Sequence, residues 1–157
     1  VFLSYILSFI YLAIYWNNHH HMLQTVKRVT GTILWANMHL LFWLSLIPFV
    51  TGWMGENHFS SPAVLLYGII LLAAAIAYWI LQRSIIKEHG KEALLAKALG
   101  RDFKGKVSPV FYTIGIIGAY INVWIAGFVY VLVAVMWLIP DKRIEKALKE
   151  ESKIKTE

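Results

Sequence analysis

Residues 107–139 read VSPVFYTIGIIGAYINVWIAGFVYVLVAVMWLI, a run without a single charged side chain. As one helix, at about 1.5 Å per residue, it would be roughly 50 Å long, well beyond the ~30 Å hydrocarbon thickness of a bilayer. Two short helices joined by a tight turn fit that thickness. Tyr120, Asn122 and Trp124 are the polar-capable cluster near the middle of the run, which places the turn at 120–124, with aromatic rings at headgroup depth.

Working outward, residues 1–16, 31–53 and 62–81 are also long and apolar enough to span or nearly span a membrane. Hydrophobic residues make up 59% of the 157, charged residues only 15%, and mean hydropathy is +0.59, where soluble domains carry about a quarter charged residues. The expected fold is an all-α integral membrane protein with five transmembrane helices, at about 1–16, 31–53, 62–81, 107–121 and 124–139. They form one transmembrane domain over 1–140, with a short interfacial helix at 91–99 and a cytoplasmic helical tail over 141–157. Ser61-Pro62 and Ser108-Pro109 pair an N-cap oxygen with a ring suited to the first helical position. Gly55 and Pro140-Asp141 supply stops, and Asp141 a cap for the tail.

The net charge of +6 would suggest nucleic acid in a soluble protein, but here the basic residues lie only between apolar runs. Lys27 and Arg28 follow the first span, seven Lys and Arg from Arg83 to Lys106 follow the third, and six more follow residue 140, whereas 54–61 and 120–124 hold none. The positive-inside rule makes the three basic segments cytoplasmic. It also places Val1 outside, so one upstream span with a cytoplasmic N-terminus is expected, six in the complete subunit. No nucleic-acid partner is implied; the bilayer is the partner. With no cysteine there is no disulfide or thiolate chemistry.

Polar residues inside the spans need an explanation, because unpaired polar groups in hydrocarbon are costly. Ser4, Ser8, Tyr11 and Tyr15 recur at helical spacing, with Asn18 or His19 continuing the row. Such a stripe either joins neighbouring helices or touches a hydrated path. Trp16 and His19 share a face if the helix continues past the first span, while His19, His20 and His21 cannot all point one way, so no metal site is expected there. Asn18 and His21 read as solvated surface residues. Asn37 lies about two turns inside the second span and needs a partner. His39 is on another face with Thr32, Trp35 and Trp43, and a haem ligated by His19 and His39 would make the chain an electron-transfer protein or membrane enzyme. No nucleophile triad, phosphate loop or paired catalytic carboxylates occur, and the spans contain no Asp, Glu, Lys or Arg, which argues against a proton-coupled transporter.

Tyr15-Trp16-Asn17-Asn18-His19, a basic turn, Leu34-Trp35-Ala36-Asn37, then Pro48-Phe49 and Gly55-Glu56, with Trp137-Leu138-Ile139-Pro140-Asp141-Lys142-Arg143 at the end, resemble the repeat unit of the transmembrane protein 175 family of potassium channels. The resemblance covers nearly the whole chain and implies a six-helix subunit of a homo-oligomer, a tetramer, that passively conducts cations with a preference for potassium. It implies no catalysis and no cofactor, potassium being the permeant ion. It further implies that the pore is lined mainly by a helix upstream of Val1, whose R-x-x-x-F-S-D signature does not occur in these residues. Trp16, His19 and Asn37 would hold that helix by hydrogen bonds, giving Asn37 a partner lacking elsewhere in the sequence. A non-conducting structural membrane subunit is the further alternative.

Overall fold

The computed structural model describes residues 2–90, 93–99, 102–139 and 142–154; the side chains of Leu3, Ser4, Leu7, Lys142, Arg143, Glu145, Glu151, Lys153 and Ile154 lie outside the described set. All described elements are helices: α1 Phe2–Gln24, α2 Gly31–Glu56, α3 Ser61–His89, α4 Leu94–Leu99, α5 Phe103–Ile121, α6 Val123–Leu138 and α7 Lys142–Ile154. By length and composition α2 and α3 can each cross a membrane, and α6 is a shorter apolar helix.

Helix α3 is the hub, packing on α2, α5 and α6, while α1 lies against α2 and α6. Small residues let it do so: Ala63, Gly68, Ala74 and Ala77 of α3 are buried, so neighbouring backbones can approach closely. Large apolar side chains point the other way, with Trp35 78%, Phe49 68% and Phe128 69% exposed. A protein surrounded by water would hide such groups, and one surrounded by lipid need not.

The break in residues 107–139 is a single residue. Asn122 adopts extended φ and ψ of −157° and 122°, ends α5 and caps α6, its side chain accepting from the Trp124 N–H at 2.9 Å. The two helices fold back antiparallel, so Lys104 Nζ reaches the Ile139 carbonyl at 2.8 Å and Trp137 Nε1 donates to Ser108 Oγ at 2.7 Å.

Several boundaries differ from those read in the sequence. Helix α1 does not close at Trp16 but runs to Gln24, and α3 passes Leu81 to reach His89, because helices do not stop where a bilayer's hydrocarbon does. Ser108 is not an N-cap: its hydroxyl donates back to the Lys104 carbonyl at 2.7 Å, while Asp102 caps α5 by accepting from Gly105 N–H at 3.0 Å. Pro109 therefore sits inside α5. Ser60 rather than Ser61 precedes α3, and Ser61 Oγ instead donates across to the Ala119 carbonyl at 2.9 Å. Gly55 does not stop α2; Asn57 follows the helix, and the turn is made by His58 and Phe59 at φ 50° and 57°, which lays Phe59 on Trp124 with ring centroids 6.2 Å apart.

Helix α4 begins at Leu94, and its apolar face is not laid on lipid as expected of an interfacial helix. Leu95, Ala98 and Leu99 are buried, and α4 packs against α7, where Ile144 is buried and Ala147 and Leu148 pack on the core. Residues 91–92, Pro140, Asp141 and the tail beyond 154 lie outside the described residues. At the same end, His89 Nδ1 donates to the Ile85 carbonyl at 3.0 Å, and its Nε2 accepts from the backbone N–H groups of Lys27 at 3.2 Å and Arg28 at 3.1 Å, pinning the turn between α1 and α2 to α3.

Candidate functional site

The continuation of α1 through the Trp16-to-His21 run decides what that run can do. His19 lies one turn beyond Tyr15 on a helix antiparallel to α2, and it is buried, with Nε2 2.6 Å from Oδ1 of Asn37. The amide oxygen can only accept, so this ring nitrogen carries the proton. Asn37 thus finds its partner within the chain, contrary to the expectation that it has none here. Its Nδ2 has no partner among the described residues. The Trp16 ring lies 6.1 Å from that of His19 and stacks 6.0 Å from that of His20, and it is 63% exposed.

The three histidines diverge as their helical positions require. His20 meets Gln24 Nε2 at 3.0 Å and His21 Nδ1 meets the Asn17 carbonyl at 2.8 Å. Among the described residues no group of three potential metal ligands forms. His39 is not brought to His19: it is exposed and accepts from Trp43 Nε1 at 3.0 Å on the opposite face of α2. A haem held between His19 and His39 is therefore not built by this arrangement.

The polar stripe of α1 faces inward. Ser8 and Tyr11 are buried and Tyr15 is half-buried, while the Ser4 side chain lies outside the described residues. Ser8 Oγ donates within the helix to the Tyr5 carbonyl at 2.8 Å, and Tyr11 donates to the Tyr130 carbonyl of α6 at 2.6 Å. Asn18 extends this row and is buried, not solvated: Nδ2 donates to the carbonyls of Ile14 at 2.9 Å and Trp137 at 3.1 Å, and Tyr78 donates to the Asn18 carbonyl at 3.3 Å. The stripe joins helices.

What the sequence reading missed is the surface receiving the stripe. Tyr67 and Tyr78 of α3, Tyr112 of α5 and Tyr130 of α6 are buried around Tyr11 and Tyr15. Edge-on ring contacts run from Tyr11 to Tyr67 at 5.9 Å, Tyr15 to Tyr78 at 6.4 Å and Tyr67 to Tyr130 at 5.7 Å. Beside them Asn18, Gln82, Ser108 and Trp137 border a cavity of about 30 Å³, room for about one water. The available signal was the tyrosines scattered through otherwise apolar helices, which spacing along a single helix cannot connect.

Long apolar helices, polar groups placed at interhelical contacts and large apolar side chains turned outward define a helical membrane protein. Its relatives sharpen that class. Residues 1–48 match the family described as the endosomal/lysosomal potassium channel TMEM175, a segment that contains both His19 and Asn37. A protein of Chryseobacterium sp. (strain P1-3), named a potassium channel, is 56% identical over 149 residues, spanning 95% of this chain and 78% of that protein. A potassium channel of Chamaesiphon minutus is 26% identical over 143 residues, 83% of this chain and 68% of its own length. One of Streptomyces collinus is 28% identical over 79 residues, 48% of this chain and 38% of its own. No solved structure matches. The chain belongs to the TMEM175 family of potassium channels.

Proposed function

We propose that the chain is a subunit of a passive, potassium-favouring cation channel of the cell membrane, assembled as a homo-oligomer, a tetramer by resemblance. In this reading α1, α2, α3, α5 and α6 all cross the bilayer, and residues 25–30, the segment holding α4 and the helix α7 are cytoplasmic. The absence of Lys and Arg from residues 54–61 and 120–124 supports that orientation. The chain needs no cofactor and no catalytic group in this role. Potassium is the permeant ion.

The observation that carries the mechanism is the His19–Asn37 bond. The end of α1 is tied to α2 by this part-buried pair, the Asn37 Nδ2 hydrogens stay without a partner among the described residues, and the Trp16 ring beside His19 is exposed. Such a face can hold a further helix in register by hydrogen bonds. The stripe from Ser8 to Asn18 is occupied inside the bundle and offers no open water-lined face. The subunit therefore acts as a wall that positions the pore-lining helix packed against Trp16, His19 and Asn37. A pore helix shifted slightly changes the narrowest part of the path, so function is more sensitive here than stability.

The test is ion flux from liposomes holding the complete channel. Asn37→Leu and His19→Ala should insert normally and change the potassium flux or the potassium-to-sodium ratio, and Trp16→Ala should do so with some loss of packing as well. Fluxes equal to wild type for the Asn37 and His19 variants, at matched protein amounts, would reduce the pair to an ordinary interhelical contact.

A further inference from the structure

Between α3, α4 and α5 lies a cleft of about 120 Å³ lined by Trp79, Gln82, Arg83, Ile86, Asp102 and Lys106, together with side chains of α4. Its frame is rigid: Gln82 Nε2 donates to Asp102 Oδ2 at 3.0 Å, and the other Asp102 oxygen accepts from Gly105 N–H. The two helices are thus tied where Arg83 and Lys106 stand. Both cations are exposed, and among the described residues neither is ion-paired. Arg83 lies over the Trp79 ring, its guanidinium carbon 5.2 Å from the centroid.

The depth of the cleft is informative. Arg83 comes two residues after the apolar run 62–81, and Lys106 immediately before the run 107–139. Two cations with no ion pair among the described residues therefore stand on adjacent antiparallel helices at one membrane surface, with an indole one turn deeper at the level where aromatic rings prefer to lie. Two cations and one carboxylate leave the lining with a net charge of +1, which complements a phosphodiester monoanion. Ile86 and the Trp79 ring supply apolar surface beside the charges, as a molecule with a charged head and an acyl chain requires.

We propose that this cleft binds the phosphodiester headgroup of an anionic phospholipid of the cytoplasmic leaflet, with the phosphate between Arg83 and Lys106 and the lipid glycerol and chain start along Trp79. Basic pockets between membrane helices on that side are suited to anionic headgroups, and each cation near the surface contributes to their attraction. The assignment rests on the membrane arrangement proposed above.

Native mass spectrometry of the complete channel, released from micelles holding phosphatidylglycerol and phosphatidylcholine in equal amounts, reads the site directly. Phosphatidylglycerol should be retained in preference to phosphatidylcholine. The Arg83→Gln/Lys106→Gln double variant should hold it roughly thirty-fold more weakly and each single variant roughly five-fold. Arg28→Gln, which removes one charge from the turn between α1 and α2, should leave retention unchanged. Equal retention of the two lipids, or unaltered retention in both single variants, would overturn the site. Displacement of the lipid by millimolar inorganic phosphate would overturn the lipid source in favour of a free anion. Flotation with phosphatidylcholine vesicles checks membrane insertion separately; a channel that fails to float with the vesicles would overturn the membrane arrangement and this site with it.

Discussion

Asn18 and His19 are neighbours in sequence and serve different neighbours of α1, one turned to α6 and the other to Asn37 of α2. The sequence shows that Asn18 extends the row of Ser4, Ser8, Tyr11 and Tyr15, but a polar run of Trp, Asn and His also looks like a surface exit, and spacing cannot say what a face packs against. Asn18 therefore looks solvated in the sequence, whereas the need of the Asn37 amide for a partner is legible there and the structure supplies His19. Because Asn18 Nδ2 supports two carbonyls, Asn18→Ala should lower thermal stability in detergent by about 0.6–1.7 kcal/mol, the range of measured intramembrane hydrogen bonds. His21→Ala, which removes a bond made inside its own helix, should stay within ~0.5 kcal/mol. Equal melting of the two variants would place the Asn18 side chain outside the packed interior.

At the scale of helices, the packing of α3, α5 and α6 turns on Tyr130. Its ring lies where a side chain at Gly68 of α3 or Gly115 of α5 would stand: a methyl at Gly68 would meet the Tyr130 hydroxyl, and one at Gly115 the ring edge. Gly68→Ala should therefore destabilise by about 1–3 kcal/mol through overpacking. Tyr130→Phe removes the clashing oxygen, so the same substitution should cost less in that background, a difference a double-mutant cycle can read. Identical costs in both backgrounds would place the clash elsewhere, on Ile116. The existence of the helices was legible from hydropathy, and the break near Asn122 from length alone. Their ends were not, because Asp102 competes with Ser108 for the start of α5, and the winner is decided by which oxygen meets a free N–H. The docking of α4 on α7 was equally hidden: a short amphipathic segment looks the same whether its apolar face meets lipid or another helix.

For the molecule as a whole, the proposed orientation rests on the distribution of basic residues and can be tested connection by connection. Since the chain has no cysteine, Asn57→Cys and Lys87→Cys can each be probed with a membrane-impermeant maleimide. Asn57→Cys should label from outside intact cells, and Lys87→Cys only after the cells are opened. Labelling of both from outside would overturn the orientation. The one-residue link at Asn122 leaves the α5–α6 hairpin no slack. A single extended residue reaches about 3.5 Å, so while the hairpin stays closed α6 can neither slide along α5 nor part from it at the turn, and a tilt imposed on one helix is handed to the other.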